Sequence, residues 1–156
     1  MKYVCPLITV VDMNRSRKFY ESLLEQKVSV DFGVNVAFES GFAIHLRSHF
    51  SGLIDNREIL SKSNNFEIYF EHDEVDEFAQ KLKENDVQFV HEVREQPWRQ
   101  KVVRFYDPDD NIIEVGESLE YLSLRLHNEG MSVADISKSV GIPEEFVKTA
   151  IDGLKK

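Results

Sequence analysis

The chain has 156 residues, an apolar fraction of 42% and a formal charge of −9 from 19 basic and 28 acidic side chains. That length fits one domain of average size with room for a small appendage, and no run approaches the roughly 20 apolar residues of a membrane span. The acidic balance repels phosphate backbones, which argues against nucleic acid as a partner. A single cysteine excludes an internal disulfide framework, and the N-terminal apolar run is too short for a signal peptide, so a cytoplasmic protein is expected.

Tyr3 to Val11 is apolar and rich in β-branched residues, which predicts a strand. Asp12 and Asn14 then supply N-cap chemistry for a helix over 14–25, with Phe19, Tyr20, Leu23 and Leu24 at one-face spacing. Three strands are expected near 28–32, 36–40 and 42–48, with turns at Gly33 and at Ser40-Gly41. A polar connector (49–64) follows, and then the order repeats: a strand over 66–71, a helix over 74–85 carrying Val75, Phe78, Ala79 and Leu82 on one face, and strands near 88–93, 101–106 and 112–116. The repeat extends to the helices, FYESLLEQKV (19–28) against FAQKLKENDV (78–87), where Phe, Leu, Glu and Val recur at one offset. Residues 118–156 break the pattern and read as three short helices, with Ser132 as an N-cap, Pro143 in a first turn, and Gly130 and Gly141 as stops.

Two stretches, LITVVDMNRSRKFYESLL (7–24) and PWRQKVVRFYDPDDNIIEVGE (97–117), resemble the opening strand and helix and the closing hairpin of the vicinal-oxygen-chelate superfamily (the glyoxalase, bleomycin-resistance and extradiol dioxygenase fold). Asp110 stands where the family's turn usually has Gly, a mild departure because Asp tolerates the left-handed conformation. The resemblance implies an α+β fold in which two βαβββ modules (1–48 and 65–117) form a cupped eight-stranded mixed sheet. The helical tail, 118–156, is expected to pack on that domain or on a partner subunit.

In metal-dependent members each module offers one ligand from its first strand and one from its last. Carried over by motif, those positions fall on Cys5, His45, Glu67 and Glu114. Strand alternation is consistent with this, because His45, Glu67 and Glu114 all oppose apolar neighbours. A wet, polar sheet face would read the same way, and a free cysteine is most often a small buried hydrophobe. The resemblance therefore implies a divalent ion (Zn, Ni, Mn, Fe or Co) that chelates adjacent oxygens of a small substrate, with Glu114 or Glu67 moving the proton. Arg47, Arg104, Tyr69 and Trp98 are the expected substrate contacts; the two arginines would meet a carboxylate or phosphonate, or else form surface salt bridges. His49, His72, His91 and His127 are assigned to loops, turns or the tail.

Two activities follow as expectations: a metal-dependent lyase or isomerase of the glyoxalase type, or a metal-free binding protein of the bleomycin-resistance type. A homodimer is expected in either case. The tail has helix-turn-helix spacing, but Glu144 and Glu145 occupy the end that would meet DNA, and it carries five basic against seven acidic residues from 117 onward.

Overall fold

Strand β1 (Leu7–Val10) turns Ile8 and Val10 into the core and Thr9 to the opposite face. It is shorter than its β-branched composition predicts, because pairing with its neighbour starts only at Leu7 opposite Ala43, and Tyr3 and Val4 stand exposed. Helix α1 (Met13–Lys18) starts at Asp12, whose side chain accepts from the Arg15 N–H at 3.0 Å. It runs into a π turn (Phe19–Leu23), closed by the Leu24 N–H donating to the Phe19 carbonyl. Strands β2 (Val28–Asp31), β3 (Asn35–Phe38) and β4 (Ala43–Leu46) complete a sheet of order β1-β4-β3-β2, in which only β1 and β4 run parallel. Its core is largely aromatic: the Tyr20, Phe38 and Phe42 rings lie within 5.7 Å of one another, centroid to centroid.

The chain then departs from expectation. Strand β4 ends at Leu46, and a short helix α2 (Arg47–Leu53) occupies what the sequence reads as the end of a strand and the start of a connector.

The second sheet has order β5-β8-β7-β6, from β5 (Glu67–Glu71), β6 (Phe89–Glu95), β7 (Lys101–Tyr106) and β8 (Ile112–Gly116). Helix α3 (Val75–Glu84) buries Val75, Phe78, Ala79 and Leu82, and the Phe78 ring meets Phe105 of β7 at 6.1 Å. The eight strands thus form two four-stranded mixed sheets, each with its helix, in two βαβββ-like modules. Three C-terminal helices follow: α4 (Leu119–Asn128), α5 (Val133–Val140) and α6 (Glu144–Leu154). Ser118 and Ser132 cap the first two, accepting from Tyr121 and Asp135 N–H, and Gly141 ends α5 at φ 81°. Leu122, Leu126, Ile136, Val147 and Ile151 form a core of the tail's own.

This computed structural model describes residues 1–154, so the last two residues of the expected tail lie outside the described residues. By contact, the chain divides into one unit of Met1–Glu67 with Tyr106–Ile112, and a second of Ile68–Phe105 with the chain from Ile113 onward. The turn between β7 and β8 therefore belongs to the first unit. Its Asp109 carboxylate accepts from the Val11 N–H (2.8 Å), Arg15 Nη2 (2.8 Å) and the buried Ser16 hydroxyl (2.9 Å). Asp107 accepts from the Tyr20 hydroxyl at 2.7 Å, and Asp110 adopts φ 67° in the position where the turn motif usually has Gly. Among the described residues, no helix is long and apolar enough to cross a membrane.

Candidate functional site

In the first unit the register Thr9–His45–Asn35 across β1, β4 and β3 puts these three side chains on the sheet face opposite the core. His45 is only 8% exposed. Its Nδ1 lies 3.3 Å from Asn35 Nδ2, and its Nε2 lies 2.7 Å from Nδ1 of His49, in the first turn of α2. Burial, then the neighbouring His49, holds the His45 imidazole below its ordinary pKa, so at neutral pH it is uncharged. The two imidazoles stack at 5.0 Å, with Phe50 edge-on to His45 at 5.6 Å.

Strand β5 opens with Glu67, still in the first unit, and continues into the second; along it half-buried Ile68 and Phe70 alternate with exposed Glu67, Tyr69 and Glu71. Strand β8 buries Ile113 and Val115 on one side and carries Glu114 on the other. Glu114, although 6% exposed, does not stand alone: its carboxylate is ion-paired with the Arg104 guanidinium on β7. Arg104 sits opposite His91 in the β6–β7 register, with Nη1 and His91 Nε2 3.3 Å apart. The wall continues through Gln100, whose amide nitrogen donates to the Tyr69 hydroxyl (3.0 Å) and the Glu117 carbonyl (2.6 Å) while its oxygen accepts from the Trp98 indole (2.9 Å). Burial raises the Tyr69 pKa, so its hydroxyl stays protonated at neutral pH. Gly116 lies at the floor of this wall, where an added Cβ would meet Gln100 and Val102 at 3.1 Å and Tyr69 at 3.3 Å.

The expected ligands thus have distinct surroundings. Cys5 precedes β1, half-buried and outside any disulfide, and Glu67 opens β5 exposed. Among the described residues, no group of three or more His, Cys, Asp or Glu side chains is placed to hold a metal ion. Glu114 already neutralises a guanidinium, whereas the outer nitrogen of His45 faces a second imidazole, the donor type that suits a transition metal. Three of the four expected ligands, Cys5, His45 and Glu67, fall in the first unit, and Glu114 falls in the second.

Of the expected substrate contacts, Tyr69, Trp98 and Arg104 lie in the second unit, with the first two joined through Gln100. Arg47 is not on the sheet face. Because β4 stops at Leu46, strand alternation does not carry past it, and Arg47 opens α2 instead. His49 and His91 likewise lie on elements, α2 and β6, rather than in loops. Sequence reasoning missed Asn35, His49 and Gln100 as site neighbours. The His45/His49 spacing of four would have revealed that pair had a helix been recognised after residue 46. Gln100 carries no such signal, since two of its three partners, Tyr69 and Glu117, lie 31 and 17 residues away in the chain.

A family profile described as a glyoxalase-like domain matches residues 3–120, ending inside α4. No curated protein matches the chain. A solved structure of a protein of unknown function from Agrobacterium tumefaciens str. C58 is 42% identical, covering 76% of this chain and 94% of that one, with a TM-score of 0.68. Lactoylglutathione lyase from Agrobacterium tumefaciens is 19% identical over 76% of this chain and 95% of its own, with a TM-score of 0.56. The fosfomycin resistance protein FosX from Mesorhizobium loti is 18% identical over 75% and 92%, with a TM-score of 0.55. At that identity the last two are similar in fold alone.

Proposed function

The chain belongs to the glyoxalase-like family of the vicinal-oxygen-chelate superfamily, and from that premise we propose that it binds a small molecule without a metal, as bleomycin-resistance members do. The observation that carries the reading is the Arg104–Glu114 pair: the carboxylate that would coordinate an ion in a metal-dependent member is held by a fixed cation. The pair presents a donor and an acceptor side by side to a polar ligand. Around it, Tyr69 offers a protonated hydroxyl held by Gln100, and Trp98 a half-exposed indole for an apolar or aromatic portion. A homodimer that encloses the ligand between subunits is part of the proposal.

A second reading, a metal-dependent lyase or isomerase of the glyoxalase type, is favoured by one observation. His45 is uncharged at neutral pH, the form in which imidazole ligates a metal, and His49 stands beside it. A bound divalent ion would act there as a Lewis acid towards adjacent substrate oxygens.

Metal content separates the two. Protein purified without a histidine tag, incubated with Zn and Ni and then desalted, should hold well under one ion per chain. Stoichiometric metal that disappears in His45→Ala would reject the binding-protein reading in favour of the enzyme. Binding itself is followed through Trp98, the single tryptophan. Its fluorescence should change saturably with a small vicinal dioxygen ligand, and Arg104→Gln should weaken that response about tenfold or more.

A further inference from the structure

Five of the chain's eight arginines are ion-paired to carboxylates: Arg15, Arg17, Arg99, Arg104 and Arg125. Arg47, Arg57 and Arg94 have no carboxylate partner among the described residues, and the first two line the same groove. That groove lies wholly within the first unit, has a volume of about 400 Å³, and is formed by Val11, Arg47, Ser48, Ser51, Arg57 and Ile59. We propose that it is a second ligand site, for a doubly charged oxyanion of the phosphate-monoester kind carried on a short apolar body.

Four features support this. The chain's net charge is −9, so two guanidiniums left without counter-charges on one concave surface are out of keeping with its overall composition. The Arg47 Nε is buried and has no hydrogen-bond partner, while the same side chain's Nη1 makes one long contact, 3.4 Å to Ser61 Oγ. The outer nitrogens of this guanidinium, held only by that one long contact, are left to meet an oxyanion in the groove. Arg57 is exposed, so it adds charge while remaining free to close over a ligand. Ser48 and Ser51 supply hydroxyls, and Val11 and Ile59 supply an apolar flank. Two guanidinium forks match the charge and geometry of a phosphate better than that of a monocarboxylate.

The groove shares no lining residue with the Arg104–Glu114 pair that carries the proposed function. Along α2 the residues lining the groove are 47, 48 and 51, whereas His49 is the one that meets His45. The two proposals can therefore fail independently.

The test is titration of the full chain with n-propyl phosphate, followed by backbone-amide NMR, with inorganic phosphate and butyrate as comparison probes. Saturable shifts are expected at residues 47–59, with n-propyl phosphate binding more tightly than either comparison probe. Arg57→Gln and Arg47→Gln should each weaken binding about tenfold, and rising salt should weaken it further. A melting curve for each variant checks that it is folded, and Arg57→Gln, at an exposed position, keeps the test open should Arg47→Gln unfold. No saturable shift, binding unchanged in both arginine variants, or butyrate binding as tightly as the phosphate ester would each overturn the proposal.

Discussion

At the level of single residues, Tyr20 shows how much depends on one hydroxyl. It is fully buried, and its hydroxyl donates to Asp107 Oδ2 at 2.7 Å. Burial first, then the Asp107 charge, raises the Tyr20 pKa well above its ordinary value near 10. The folded state therefore holds this proton more tightly than the unfolded chain does. Below about pH 10 tyrosine is protonated in both states and the full contribution is present; above it the unfolded chain deprotonates first, and stability falls as pH rises towards the folded value. Tyr20→Phe should cost about 1.5–3 kcal/mol at neutral pH, the range for a hydrogen bond to a charged group. It should also remove this part of the alkaline decline. Urea melts of both proteins across pH 8–11 check the point, and parallel alkaline slopes would contradict it.

Among elements, the join between the second sheet and α4 rests on a buried ion pair. Arg125 donates Nε and Nη2 to the two Glu117 oxygens at 2.7 and 2.9 Å, while Glu117 also accepts the Lys101 N–H and is 1% exposed. Removing one member of such a pair leaves a charge buried without its partner. Arg125→Ala should therefore cost about 3–5 kcal/mol, read as a lowered denaturation midpoint, and a change under about 1 kcal/mol would show that Glu117 finds other compensation. The same scale explains what was legible in the sequence. Helix α3 was readable because Val75, Phe78, Ala79 and Leu82 repeat at helical spacing and pack on one side, and α5 because Ser132 and Gly141 mark its ends with cap chemistry. Helix α2 was not, because Leu46 makes no side-chain cap and the apolar alternation of β4 runs on without a break signal. The π turn after α1 has no sequence mark either. Within the candidate site, strand phase was enough to assign His45, Glu67 and Glu114 to a face opposite the apolar residues. Their partners, His49, Arg104 and Gln100, depend on tertiary register, which local periodicity does not encode.

For the whole molecule, contact and sequence order disagree. The first unit requires Tyr106–Ile112, from deep inside the second half of the sequence, to supply the carboxylates that accept from Ser16, Arg15 and Tyr20. A fragment ending at Glu67 would leave the buried Ser16 and Tyr20 hydroxyls without acceptors, so it should show no cooperative thermal transition by circular dichroism. A sharp transition in that fragment would mean that the first unit stands without the turn. The same arrangement has a consequence during synthesis. Residues 68–112 take on the order of seconds to be added at the usual pace of translation, and until they leave the ribosome the N-terminal half waits with an unfinished interior. Over that interval the nascent chain is a natural client for chaperones that shield apolar surface, and slowing the ribosome between codons 67 and 112 should lengthen its dependence on them.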